Sequence, residues 1–174
     1  MPATATIREL NGPVPAATVI TAARFRTDDD PVVDAVNPIV VPGVGTNRSF
    51  WKSHELRFGG SFTLIDNVRL FTDGGAFPDV TVFAGDQVLA PGAYQQASGV
   101  VGDTGDEMVA THAGIAAKTD VFTFTSGLSK LVDAGPIVGP PVSSNHVVLQ
   151  MDVPSPATPQ DLPDETFTWQ FDEI

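Results

Sequence analysis

The sequence predicts an all-β domain: an antiparallel β-sandwich of jelly-roll type, with an extended N-terminal arm. Three observations carry that expectation. Several segments alternate apolar and polar residues with a period of two, as a strand with one buried face does. In residues 165–172, for example, Phe167, Trp169 and Phe171 interleave with Thr168, Gln170 and Asp172. The 174 residues include 16 glycines and 15 prolines, which punctuate turns and break helices. No segment carries an amphipathic helical pattern longer than about two turns. Many short antiparallel strands joined by irregular connections make a sandwich, and a jelly roll holds about eight of them.

Residues 1–42 read as an extended N-terminal arm or edge strands, and 43–174 as the sandwich. Within the arm, residues 4–10 form a strand that ends at Asn11-Gly12-Pro13. Residues 18–25 form a second, preferred over a helix across 16–26 because Thr18, Val19, Ile20 and Thr21 are all β-branched. Asp28-Asp29-Asp30-Pro31 makes a turn, and prolines at 38 and 42 confine Ile39, Val40 and Val41 to a short or edge strand. Residues 49–58 and 62–72 then read as two long strands, and Gly59-Gly60 between them predicts a hairpin. The alternation slips where Leu64 and Ile65 adjoin, which predicts a β-bulge near Asp66-Asn67. Asp73-Gly74-Gly75 turns the chain, and 79–84 is a short strand. Residues 91–105 read as a loop, 108–112 and 121–125 as short strands, 132–144 as a surface loop, and 146–153 as a strand. Residues 154–163 form a proline-rich loop before the last strand, 165–172.

Composition narrows the function classes. Hydrophobic residues make up 42% and charged residues 17%, a globular composition. The net charge of −12, with only nine Lys and Arg, disfavours nucleic acid and anionic membrane surfaces as partners. No run reaches the ~18 apolar residues of a membrane-spanning helix. The absence of cysteine removes disulfides, thiolate catalysis and cysteine-ligated metals.

Catalytic signatures are equally scarce. His54, His112 and His146 lack the short spacing of metal ligands and read as strand-borne packing residues. No serine sits in a Gly-x-Ser-x-Gly elbow, and neither Gly-x-Gly-x-x-Gly nor a P-loop occurs. The chain is expected not to be an enzyme and to need no cofactor. Asp28, Asp30, Asp73, Asp103 and Asp106 lie in loops and are the weak candidates for calcium, but aspartates also favour turns because their carboxylates bond nearby amides. The solvated-turn reading outweighs the metal one. Trp51, beside Phe50, is the better aromatic platform for a sugar, though ordinary packing is favoured for it. Interface candidates are Ile7, Leu10, Val19, Ile20 and Phe25 in the arm, with Trp51 beyond it.

Two stretches carry a resemblance. Residues 50–75, FWKSHELRFGGSFTLIDNVRLFTDGG, contain an aromatic-led strand, then I-x-N leading into an apolar strand and a T-D-G turn. Residues 146–174, HVVLQMDVPSPATPQDLPDETFTWQFDEI, run from a V-L-Q strand through a Pro/Thr-rich loop to a strand closing on Asp-Glu. Both resemble small virion structural proteins of tailed bacteriophages. Leu70-Phe71 departs from the aromatic pair expected there, and neither the arm nor residues 132–144 share in the likeness. The resemblance implies a β-sandwich subunit of the virion, assembled in the host cytoplasm. Its role is expected to be capsid decoration or cementing, with a neck, collar or tail component as the alternative. Its partners would be other virion proteins such as the major capsid protein, and copies of itself, most naturally a trimer. A carbohydrate-binding jelly-roll module is the competing class.

Overall fold

A computed structural model describes residues 2–31 and 36–174. The fold is nearly all β, with antiparallel sheets as expected. The larger sheet holds β1 (Ala3–Asn11), β2 (Ala16–Val19), β3 (Thr46–Arg48), β4 (Lys52–Gly60), β6 (Thr81–Gly85), β9 (Lys118–Asp120) and β11 (Val142–Pro154). Its order is β2-β1-β4-β11-β6-β9, and β3 pairs with the end of β11. The smaller sheet has β5 (Ile65–Thr72) between β10 (Lys130–Asp133) and β12 (Phe167–Glu173). A ribbon of β7 (Gly99–Val100) and β8 (Thr104–Gly105) stands apart. With seven strands in one layer and three in the other, the strands are not divided evenly as in a regular jelly roll.

The two sheets pack face to face. Leu56, Phe58, Val147 and Leu149 of the larger sheet share one buried cluster with Ile65, Val68, Leu70 and Val132 of the smaller. The outer face of the larger sheet is covered as well. The excursion between β6 and β9 folds back over it, burying Phe50, Trp51 and Val148 against Leu89, Ala97, Met108 and Ile115. Lys52 to Leu56 and Val147 to Met151 are therefore buried at every position, with no solvent-facing side. The stretch W-K-S-H-E-L has no clean alternation because both of its faces are interior: Lys52, His54 and Leu56 look inward, Trp51, Ser53 and Glu55 outward.

Several expectations need correcting. Within the N-terminal segment, residues 3–11 and 16–19 are strands of the larger sheet. β1 pairs with β4 from Ala3↔Gly60 to Leu10↔Ser53, burying Glu9, Leu10 and Asn11; residues 1 and 32–35 lie outside the described residues. Gly59-Gly60 is not a hairpin. β4 pairs with β1 and β11 while β5 pairs with β10 and β12, so the chain crosses between layers there, with Phe58 and Ile65 entering the core from opposite sides. Gly60 makes the crossing with φ +79, where an added Cβ would meet Pro2 O at 2.7 Å. The second arm strand stops at Val19, well short of residue 25, and no helix replaces it. Residues 108–112 form one helical turn, α1 (Met108–Thr111), because the Glu107 carboxylate caps Ala110 N–H. The alternation of Phe122 and Phe124 belongs to a 3-10 turn held by the Asp120 carboxylate on Phe122 N–H, and both rings still pack on the core. Strand residues trim the 132–144 loop at both ends. The bulge is where it was expected: Gln170 pairs with Arg69 and Asp172 with Asp66, and Asn67 takes φ 53.

Candidate functional site

A buried polar cluster is built where β1 and β4 pair. Glu9 lies opposite His54 in register, and Lys52 projects from the same face of β4. One Glu9 oxygen sits 3.1 Å from Lys52 Nζ, and the other faces His54 Nε2 at 3.3 Å. Asn11 Nδ2–H donates to Glu9 at 2.9 Å and to Asp29 at 3.0 Å. The Lys52 ammonium also donates to the carbonyls of Asp28 and Asp30. Burial alone would raise the Glu9 pKa. Hydrogen bonds and positive charge from His54 and Lys52, with the Asn11 amide, outweigh it and hold the carboxyl at about 2. The Tyr94 hydroxyl is pushed upward by burial, and by the nearby charges of Asp29 and Glu9.

Beside this cluster a cavity of about 550 Å³ opens between the sheets. His54, Ile7 and Leu149 lie on the large-sheet side, and Leu70, Phe167 and Trp169 on the small-sheet side. The segment after β2 contributes Ile20, Arg24 and Phe25, and the proline-rich loop contributes Asp161, Asp164 and Glu165. A second hollow of about 480 Å³ adjoins it, sharing Phe25, Met151 and Leu162.

A further feature is the end of the larger sheet. Ile20 N–H donates to Ile7 C=O, which makes 9/18 and 11/16 hydrogen-bonded pairs and leaves Arg8↔Val19 and Leu10↔Ala17 as non-bonded pairs. The N–H and C=O of Ala17 and Val19 therefore point away from β1, on the outer edge of the strand that terminates the sheet. All of β2 is exposed; Val19 is 61% and Val14, in the adjoining turn, 82% accessible.

The expected site residues fall into different places. Among the interface candidates, Val19 is on the open edge, while Ile7, Ile20 and Phe25 are half-buried and line the cavity. Leu10 and Trp51 are core residues, not surface ones. Trp51 is 1% exposed, its Nε1–H donates to Gln95 O, and its ring stands edge-on to His112. The aspartates are dispersed. Asp28 pairs with Arg26, and Asp30 gives its carbonyl to Lys52. Asp73 accepts from Gly75 N–H, Asp106 accepts from Ser98 Oγ–H, and Asp103 is exposed in the β7–β8 turn. Among the described residues, no group of three or more His, Asp or Glu is placed to hold a metal ion. Sequence reasoning missed Glu9 and Lys52. The available signal was a lysine in phase with Leu56 and Phe58, which is unusual on a core-facing strand face unless a carboxylate meets it.

His112 and His146 lie on the outer face, below the β6–β9 excursion. Burial lowers both pKa values, His146 to about 4, where charge on His112 adds to the effect. Neither nitrogen of His146, nor Nε2 of His112, has a hydrogen-bond partner among the described residues.

The chain is thus an antiparallel β-sandwich-like domain with an inter-sheet cavity and an exposed terminal strand, β2. No known protein family, curated protein or solved structure matches it.

Proposed function

We propose that this chain is a non-enzymatic virion structural protein of a tailed phage, a capsid decoration or cement protein that stabilises the particle through subunit contacts. The supporting observation is the edge of β2. Natural sheet edges are blunted by lysines, bulges, prolines or covering loops. Ala16-Ala17-Thr18-Val19 has no charge, no proline and no bulge, and ends the sheet with every residue exposed. Such an edge accepts a strand from a neighbour, whose backbone hydrogen bonds supply affinity while Val14 and Val19 supply apolar contact. The neighbour is a second copy of this chain or another virion protein such as the major capsid protein. A station on the neck or tail uses the same edge and differs only in the neighbour.

The test is Ala17→Pro. Its N–H points outward, so proline leaves the β1–β2 bonds intact yet removes an outward donor and obstructs a docking strand. The wild-type chain is expected to form a homo-oligomer in light scattering, a trimer by the symmetry of capsid sites. The variant is expected to be monomeric with an unchanged melting temperature. Equal association of the two proteins refutes the edge contact, and a wild-type protein absent from purified particles by mass spectrometry refutes the virion role.

A further inference from the structure

We infer that the part of the β6–β9 excursion lying over Trp51, Val148 and His146 is an acid-released flap, able to lift from the larger sheet while the sandwich beneath it stays folded. The inference does not depend on the virion reading. Two runs of the excursion form the flap, residues 87–95 and 111–116. Side-chain amides tie them into one unit: Gln95 donates to Thr111 O and accepts from Ala113 N–H, and Gln87 accepts from Ala116 N–H. Its grip on the sheet begins at Leu89, which exchanges two backbone hydrogen bonds with His146, at 2.8 and 3.0 Å. Gln95 C=O accepts from Trp51 Nε1–H at 3.2 Å, and Leu89 and Ile115 supply apolar contact against Trp51 and Val148.

A histidine stands on each side of that interface. His112, on the flap, is 3% exposed and edge-on to Trp51, with ring centroids 5.5 Å apart. Its Nδ1 accepts the Gly114 N–H at 3.1 Å, so the hydrogen of the neutral ring is on Nε2. A second proton can be added only at Nδ1, where it meets the Gly114 N–H and breaks the bond that shapes the flap. His146, on the sheet, is fully buried, and neither ring nitrogen has a hydrogen-bond partner among the described residues. The carboxylates of the surrounding elements are engaged elsewhere. Glu55, across from His146 on β4, is held by Arg8 and Ser143; on β10, Asp133 accepts from Asn145 N–H, and Lys130 is itself basic. In the excursion Asp86 is bonded to Thr119, Asp106 to Ser98 and Glu107 to Lys118, Asp103 is exposed at the β7–β8 tip, and the Tyr94 hydroxyl is pushed upward and neutral in acid. Burial lowers both histidine pKa values, that of His146 to about 4 with charge on His112 adding to it; on His112 a contact with its own carbonyl opposes burial only in part. With both folded values below the unfolded 6.5, closure is complete above 6.5 and weakens as pH falls toward 4. The other end of the excursion is held by groups that keep their state over this interval. Gln150 donates to Asp106 O at 2.7 Å and accepts from Met108 N–H at 3.0 Å, and Glu107 pairs with Lys118 at 2.9 Å. Burial would raise the Glu107 pKa, but Lys118, the Ala110 N–H and Arg48 outweigh it and hold it below its ordinary 4.5. Acid thus loosens the flap and spares its hinge.

Hydrogen–deuterium exchange of the full-length chain at pH 7.0 and 5.0, read by mass spectrometry and corrected for the intrinsic pH dependence of exchange, tests this. At pH 5.0 the amides of residues 87–95 and 111–116 are expected to lose protection by about tenfold or more, while β5 and β12 keep theirs. Trp51 fluorescence, isolated by Trp169→Phe, should become quenchable by acrylamide over the same interval, because the flap is what buries that ring. His112→Asn keeps an acceptor for the Gly114 N–H that does not titrate, and His146→Leu removes the other imidazole. The double variant, folded at pH 7.0 by circular dichroism, is expected to stay protected at pH 5.0. His112→Asn alone, which leaves the sheet untouched, should move the opening to lower pH. Equal protection of the flap at the two pH values, protection lost together with that of β5 and β12, or variants that open at the wild-type pH would each overturn the proposal.

Discussion

Replacing His146 with leucine should flatten the acid sensitivity of this fold. His146 is wholly buried on β11, its backbone exchanging hydrogen bonds with Leu89 while neither ring nitrogen finds a partner among the described residues. Burial, with a smaller contribution from His112, lowers its pKa from 6.5 to about 4. The folded state thus binds the proton less readily than the unfolded one. The stability is whole above the unfolded value of 6.5 and is lost as pH falls from there toward 4. At about 1.36 kcal/mol per unit, the interval amounts to roughly 3 kcal/mol. His112 is lowered in the same direction by burial and adds to the loss. For a chain of this size roughly 3 kcal/mol corresponds to about 6–12 °C in Tm. Glu9 does not confuse the measurement. Its depressed pKa contributes stability that is complete above 4.5 and disappears only between there and about 2. Thermal melts of wild type and His146→Leu at pH 7.0, 6.0, 5.0 and 4.5 separate the two windows. The variant should lose less than half of what the wild type loses. Parallel curves would show that His146 is protonated in the fold or screened from its neighbours, and the argument would fail.

Three further outcomes follow from the geometry. Glu9→Gln leaves the Lys52 ammonium, with no exposed side-chain surface, beside a neutral amide; urea unfolding should show a loss of about 3–5 kcal/mol. Adding Lys52→Met to that variant should recover more than half of the loss, because an apolar side chain needs no counter-charge. Gly105→Ala should destabilise by about 3 kcal/mol or more, since its Cβ would lie 2.2 Å from Ser49 O on a backbone that cannot yield; Gly127→Ala, with nothing within 4 Å, is the neutral control for the same denaturant titration.

The sequence showed those parts of the fold in which one face is wet. Phe167, Trp169 and Phe171 alternate on β12 because its far side is accessible, and the bulge at Asn67 left its mark as two adjacent apolar residues, Leu64 and Ile65. Where both faces are interior, the period-two signal fails. β4 reads K-S-H-E-L because one side meets the opposing sheet and the other the β6–β9 excursion, and neither covering layer is local in sequence. The same non-locality hid the crossing at Gly59-Gly60. A glycine pair between two strands fits a hairpin or a change of layer equally well, and only the partners of β4 and β5 decide between them. The candidate site was illegible for a related reason. Glu9 and His54 are 45 residues apart, and the cavity walls come from β1, β4, β5, β11, β12 and three loops.

The polar cluster and the open edge are two consequences of one placement. β1 is inserted between β4 and β2, so its inward-facing Glu9 must be neutralised within the core, and Lys52 and His54 do so. That ion pair ties β1 to β4, and β1 in turn presents β2 to the outside. A strand added by a neighbour would transmit its load through β2 and β1 to the pair of charges beneath. A docking edge on a loosely held hairpin would peel away under that load, whereas a buried, hydrogen-bonded pair is costly to separate because each charge would be left without its partner. Glu9→Gln should therefore weaken association through β2 more than its distance from that edge suggests, at temperatures well below its lowered melting point. Association unaffected by Glu9→Gln in the folded variant would show that hairpin and core are mechanically independent.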